Sequence, residues 1–135
     1  MRSLADILEE YEFLDADERY RLLIELGREL DEMPQALKTE STLVRGCSAS
    51  VWVYPTEADG RLHFLADSNA AITKGIVALI LSAVQGKPAA EIAEMDINAE
   101  LEPFALRKHL SANRTQGVPN MITLIRDTAR RYAAA

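Results

Sequence analysis

One stretch restricts the possible folds of this chain more than any other. From about Asn69 to Val84 it reads as a helix that is apolar nearly all round, through Ile72, Ile76, Val77, Leu79, Ile80 and Val84. A helix without a polar face has to be surrounded by the rest of the protein, so the other elements are expected to pack around it. Asp67 or Ser68 stands where a cap for its start is expected, Gly86 ends it in the C′ position, and Pro88 opens a short helix through Met95. Gly75 interrupts the apolar run at a cost of about 1 kcal/mol relative to alanine, which predicts a strand packed closely against that spot. The 135 residues suffice for one domain, spanning the whole chain, with a core that needs no disulfide staples.

Two amphipathic helices precede this segment. Ser3 with Asp6 is a start signal for the first, which presents Ile7, Leu8 and Tyr11 as an apolar stripe. Asp15 with Glu18 repeats the signal for the second, which carries Leu23, Leu26, Leu30 and Met33 at helical spacing and is expected to end at Pro34. Ser41 to Val44, Ser50 to Tyr54 and Arg61 to Ala66 then read as strands from their β-branched, aromatic and alternating content, with Asp59-Gly60 as the turn before the last. Beyond the central helix, one short helix is expected after Pro103, a loop over Asn113 to Gly117, and a final helix from Pro119 with Met121, Ile122, Ile125, Ala129 and Tyr132 inside. The fold class is therefore α+β: a short three-stranded antiparallel sheet with helices on one side.

Cys47 is the only cysteine, and it follows Gly46 at the bend between the first two expected strands. A loop tip of this kind lies at the surface and can present a sulfur atom to another protein. An unpaired cysteine is also commonly a small buried hydrophobe, so its setting matters. Gly46 permits positive φ beside the sulfur, Ser48 and Ser50 offer hydroxyls, and Arg45 places a cation that would favour the thiolate. The apolar flank of Val44, Val51 and Trp52 predicts that the thiol can retreat between sheet and helices.

Several classes of function are disfavoured. A single cysteine forms no internal disulfide and cannot by itself hold zinc or an iron-sulfur cluster, which need about four ligands. The formal net charge of −6 argues against non-specific nucleic-acid binding, which depends on cations meeting phosphates. The longest apolar run, Ile76 to Leu81, is too short to span a membrane, and the first residues run into acidic side chains without the apolar core of a signal peptide. A soluble cytoplasmic protein with a reduced thiol is the expectation.

The residues resemble the SufE family, the sulfur-acceptor proteins that assist cysteine desulfurases. The matching features are Val44-x-Gly46-Cys47-x-x-x-Val51-Trp52, Asp59-Gly60-x-Leu62-x-Phe64-x-Ala66-Asp67-Ser68, Ile72-x-Lys74-Gly75, His109-Leu110, and Arg114-x-x-Gly117-x-x-x-Met121. The resemblance implies a SufE/IscU-like fold. It implies that Cys47 takes the outer sulfur from the persulfide of a desulfurase of the SufS or CsdA kind, stimulating that enzyme, and passes the sulfur to an iron-sulfur scaffold. The pyridoxal phosphate would belong to the desulfurase, and this chain would hold no cofactor and have no turnover alone. Ser48 departs from the family, which often has glutamine there. The other class in view is a redox-sensing or regulatory interaction module built on the same cysteine.

Around the cysteine, Arg45, Gly46, Ser48, Asp67, Ser68 and Arg114 are the candidates for holding the loop or meeting a partner. Arg114 could pair with a carboxylate near the Cys47 turn or stabilise sulfur anion, and its alternative is a solvated loop arginine. His63 falls on the face opposite Leu62 and Phe64, and His109 near a helix end. Trp52 reads as packing. The Glu9-Glu10 and Asp31-Glu32 pairs read as solvated faces that could also steer a basic partner.

Overall fold

The computed structural model describes residues 1–47, 49–108 and 117–135. Helices α1 (Leu4–Glu12) and α2 (Ala16–Arg28) form a hairpin whose starts follow from their caps. The Ser3 hydroxyl oxygen accepts from the Asp6 amide at 3.2 Å. At α2, Asp15 accepts from the Glu18 amide at 2.9 Å while Glu18 accepts from the Asp15 amide at 3.2 Å, satisfying two otherwise orphaned donors. The second helix stops well before Pro34, because after Arg28 the amides of Glu29 and Leu30 turn back onto Leu26 and Gly27. Met33 is nonetheless buried. Its helical spacing reported burial, which a residue outside any helix can also satisfy.

The sheet has two strands, not three. Strands β1 (Val51–Ala58) and β2 (Arg61–Ser68) pair antiparallel from Val51 opposite Ser68 to Ala58 opposite Arg61. Asp59 and Gly60 join them with φ of 55° and 76°, the left-handed pair that a tight hairpin turn demands. The expected strand from Ser41 to Val44 shrinks to a single bridge, Leu43 opposite Trp52. The reason is Thr42: its hydroxyl donates to the Leu37 carbonyl at 2.6 Å and accepts from the Thr39 amide at 3.0 Å. The Thr42 and Leu43 amides also return to the Thr39 carbonyl, so a local turn takes the groups a strand would have used.

Helix α3 (Ala71–Val84) is buried on nearly every side, as its composition requires. It starts later than expected, at an Ala70 cap with no side-chain hydrogen bond, because β2 runs on through Ser68. Asp67 and Ser68 therefore do not cap it; the Ser68 hydroxyl accepts from the Ala70 amide at 3.3 Å, still outside the helix. Gly75 faces a helix rather than a strand: a Cβ there would collide with the Leu23 carbonyl of α2. From the other side, a Cβ on Gly27 would stand 3.0 Å from the Lys74 carbonyl carbon. The two backbones touch because neither glycine has a side chain.

After α3, the connection covers the outer edge of β2. Gln85 brackets Phe64, accepting from its amide at 2.7 Å and donating to its carbonyl at 2.9 Å. The Gly86 amide then donates to the Leu62 carbonyl and the Leu62 amide to the Lys87 carbonyl. An edge occupied in this way cannot template a foreign strand.

Helices α4 (Ala89–Glu94) and α5 (Ile97–Leu101) follow. Of the short helix expected after Pro103, a turn over Leu106–Lys108 is seen and the remainder lies outside the described residues, as does the expected loop from Asn113 up to Gly117, which is helical. Pro103 itself lies in a tight turn over Glu102–Phe104. Proline fits there because the first residues of a helical turn need no amide partner. Helix α6 (Gly117–Ala134) packs on α4 and closes the core with Met121, Ile122, Ile125 and Ala129. Val51, Val53, Leu62, Phe64 and Ala66 form the buried face of the sheet, while Tyr54 and His63 point outward.

Candidate functional site

The segment between Val44 and Val51 is a loop closed at its base. The Val44 amide donates to the Val51 carbonyl and the Val53 amide to the Thr42 carbonyl, both at 2.8 Å. Its far side is tied to the start of α3. Asn69 accepts from the Ser50 amide at 3.1 Å through its side chain and donates to the Ser50 carbonyl at 3.3 Å through its backbone. Gly46 takes φ of 81° within the loop, a conformation that disfavours any side chain.

Cys47 lies half-buried on this loop, against the core and the first residue of α6. Its Sγ is 3.8 Å from the Gly117 carbonyl oxygen, a weak hydrogen bond. Burial pushes the thiol above its ordinary pKa of 9.0, since a thiolate loses hydration there. Arg45 is exposed, and among the described residues it forms no ion pair and is not a cause of the thiol's shift. The pull toward the thiolate expected from Arg45 is therefore not found, and desolvation alone sets the direction. Arg45 instead lines a groove of about 460 Å³ with Leu43, Val44, Asn120, Thr123 and Leu124.

Asp67 organises a second, adjoining cluster. Its carboxylate is 2.6 Å from Lys38 Nζ and 3.2 Å from Lys74 Nζ. Burial would raise its pKa. The hydrogen bonds from Lys38, the Ser68 amide and Lys74 outweigh that and hold the carboxyl below its usual 3.8. Lys38 also lies over the Trp52 ring, 5.5 Å from its centroid. This cluster ties the segment leading into the Cys47 loop to β2 and α3.

The structure brings Arg45, Gly46 and Cys47 together, and it puts Asp67 and Ser68 on the strand that pairs with the outgoing side of the loop. Ser48, His109 and Arg114 lie outside the described residues. Sequence reasoning missed two side chains. Asn69 was absorbed into the helix start, although asparagine in a strand-to-helix junction is the residue type that bonds backbone amides. Asn120 lies over Gly46, and its position in an amphipathic helix carried no signal. Among the described residues, no group of three or more histidine, cysteine, aspartate or glutamate side chains could hold a metal ion, and no helix is long and apolar enough to cross a membrane.

A family model described as SufE, Fe-S metabolism associated domain, matches residues 5–129. An uncharacterised SufE-like protein of Rhizobium etli is 39% identical over 140 aligned residues, covering 100% of this chain and 95% of that protein. The sulfur acceptor protein CsdE of Escherichia coli is 39% identical over 103 residues, covering 76% of this chain and 70% of that protein. The solution structure of a hypothetical protein from Thermus thermophilus shares the fold, with a TM-score of 0.79 at 16% identity over 98% of this chain and 96% of that one.

Proposed function

This chain belongs to the SufE family, and from that premise we propose that Cys47 is the atom-carrying residue of a sulfur acceptor in iron-sulfur metabolism. The observation that carries the reading is a lone thiol on a loop, half-buried, held to the Gly117 carbonyl by one long, weak hydrogen bond. Such a thiol can be sheltered at rest and released to a partner.

The step is thiol exchange. The Cys47 thiolate attacks the outer sulfur of the donor's persulfide, a new sulfur-sulfur bond forms on Cys47, and the donor's bond breaks with its electron pair leaving on the donor cysteine. No external oxidant is needed, because one sulfur-sulfur bond replaces another. Repeating the attack from a recipient thiolate unloads the carrier. The donor is a cysteine desulfurase of the SufS or CsdA kind, stimulated because its persulfide is cleared. The pyridoxal phosphate stays on that enzyme, the recipient is an iron-sulfur scaffold complex, and the compartment is the cytoplasm.

Burial that raises the thiol's pKa supports a carrier protected from small reagents. It fits a redox sensor less well, since sensor thiols are exposed and low in pKa. Incubating the protein with a desulfurase, its cofactor and cysteine should add the mass of one sulfur, and Cys47→Ser should fold normally, take up none and give no stimulation. Full stimulation by Cys47→Ser would sink the proposal.

A further inference from the structure

Two glycines press the Cys47 loop and the first turn of α6 together from opposite sides. At Gly46, a Cβ would collide with the Asn120 side-chain amide, whose Cγ would be only 3.3 Å away. At Gly117, a Cβ would stand 3.0 Å from Cys47 Sγ, 3.4 Å from its Cβ and 3.5 Å from its Cα. One contact runs from a helix side chain to a loop glycine, the other from a loop side chain to a helix glycine. Within α6, helix propensity favours alanine over asparagine, so propensity does not account for Asn120, whose side-chain amide is the group that meets Gly46. Asn120 is otherwise exposed, and the Cys47 contact with Gly117 is a long one, so the fit can open without unpacking the core.

We infer that Gly117 and Asn120 are positioning residues for sulfur transfer, which set how far Cys47 is drawn in and which the loop must leave before its sulfur reaches another protein. A second sulfur bonded about 2 Å beyond Sγ enlarges a side chain that already lies close against Gly117. The inference rests on Cys47 being the sulfur carrier. Its first test does not.

That test compares alkylation of Cys47 by iodoacetamide in the full chain and in Asn120→Ala, Gly117→Ala and Arg130→Ala, the last an exposed control in the later part of α6. Thermal unfolding is followed in parallel. Asn120→Ala removes the cover from Gly46, and Gly117→Ala pushes a methyl against the sulfur. Each should raise the rate about three- to tenfold through a larger open population, with unfolding temperatures near that of the original and the control unchanged. With a desulfurase, Asn120→Ala should reach half-maximal stimulation at a lower concentration with the same maximal rate, because a larger fraction is competent to bind. Unchanged alkylation in a natively folded Asn120→Ala overturns the inference, and that variant decides the matter if Gly117→Ala fails to fold. If the original protein gains no sulfur from the desulfurase, the carrier reading fails instead, and the alkylation comparison still judges the latch.

Discussion

The chain uses the missing side chain of glycine twice, to opposite ends. Gly75 and Gly27 let two helix backbones touch, each backbone held in its own ladder of hydrogen bonds and flanked by core residues such as Leu23, Ile76 and Leu79. Gly46 and Gly117 also allow close approach, but one partner there is a loop and the nearest contacting atoms belong to side chains. A close fit between two rigid elements is permanent. The same fit between a helix and a loop is a closed state that can open, and a protein that shelters a reactive atom needs the second kind built beside the first.

The sharpest break of this comparison is to place the same methyl group in both contacts. In Gly75→Ala the added carbon meets the Leu23 carbonyl, and neither backbone can shift without moving a helix. Overpacking a core in this way costs about 1–3 kcal/mol and sometimes more, and a backbone collision belongs at or beyond the upper end. Urea unfolding should show a loss of about 3 kcal/mol or more, or no folded protein. Gly117→Ala should lose less than about 1 kcal/mol, since the sulfur it meets can move with its loop. Equal losses would show that the two contacts are equally rigid.

The next effect concerns Asp67, which fastens the approach to the loop onto the rigid side of the molecule. Asp67→Asn loses the carboxylate that bridges Lys38 and Lys74, whose side chains are 19% and 33% exposed. After allowance for solvent screening the loss should be about 1 kcal/mol. Because the folded carboxyl titrates below its ordinary 3.8, its contribution is complete above that value and disappears as the pH falls through the depressed one. The stability gap between the two proteins should therefore hold at neutral pH and close in acid below about pH 4. A gap independent of pH would mean that packing, not charge, is what Asp67 supplies.

These contacts also mark where sequence reasoning stops. The burial of α3, the caps of α1 and α2 and the turn at Asp59-Gly60 were legible because each depends on residues near one another in the chain. The packing partner of Gly75 was not, since nothing in its own segment distinguishes a neighbouring strand from Leu23 of a helix some fifty residues earlier, and only long-range packing decides. The strand at Ser41 to Val44 misled because β-branched residues carry a propensity that the Thr42 hydroxyl overrode by bonding Leu37 and Thr39. At the site, Cys47 and Gly46 stood out by residue type. The surroundings that raise the thiol's pKa come from α6 and the core, and Arg45, two residues earlier, lines a separate groove.

The smallest effect tests whether the loop is held mainly at its α6 contact or at its far side. Asn69→Ala deletes the side-chain hydrogen bond to the Ser50 amide and leaves the backbone bond between the same residues. The pairing of Val44 with Val51 also remains, so the base of the loop stays closed. One hydrogen bond near the surface is worth about 0.5–1.5 kcal/mol, the lower end applying where water replaces the lost partner. Alkylation of Cys47 should then rise about twofold, less than in Asn120→Ala, because the lost bond lies beyond the segment that carries the sulfur. If Asn69→Ala exposed the thiol more than Asn120→Ala did, the hinge and the latch would have to exchange places. The loop would then open from β1 and α3, and α6 would be the wall against which it turns.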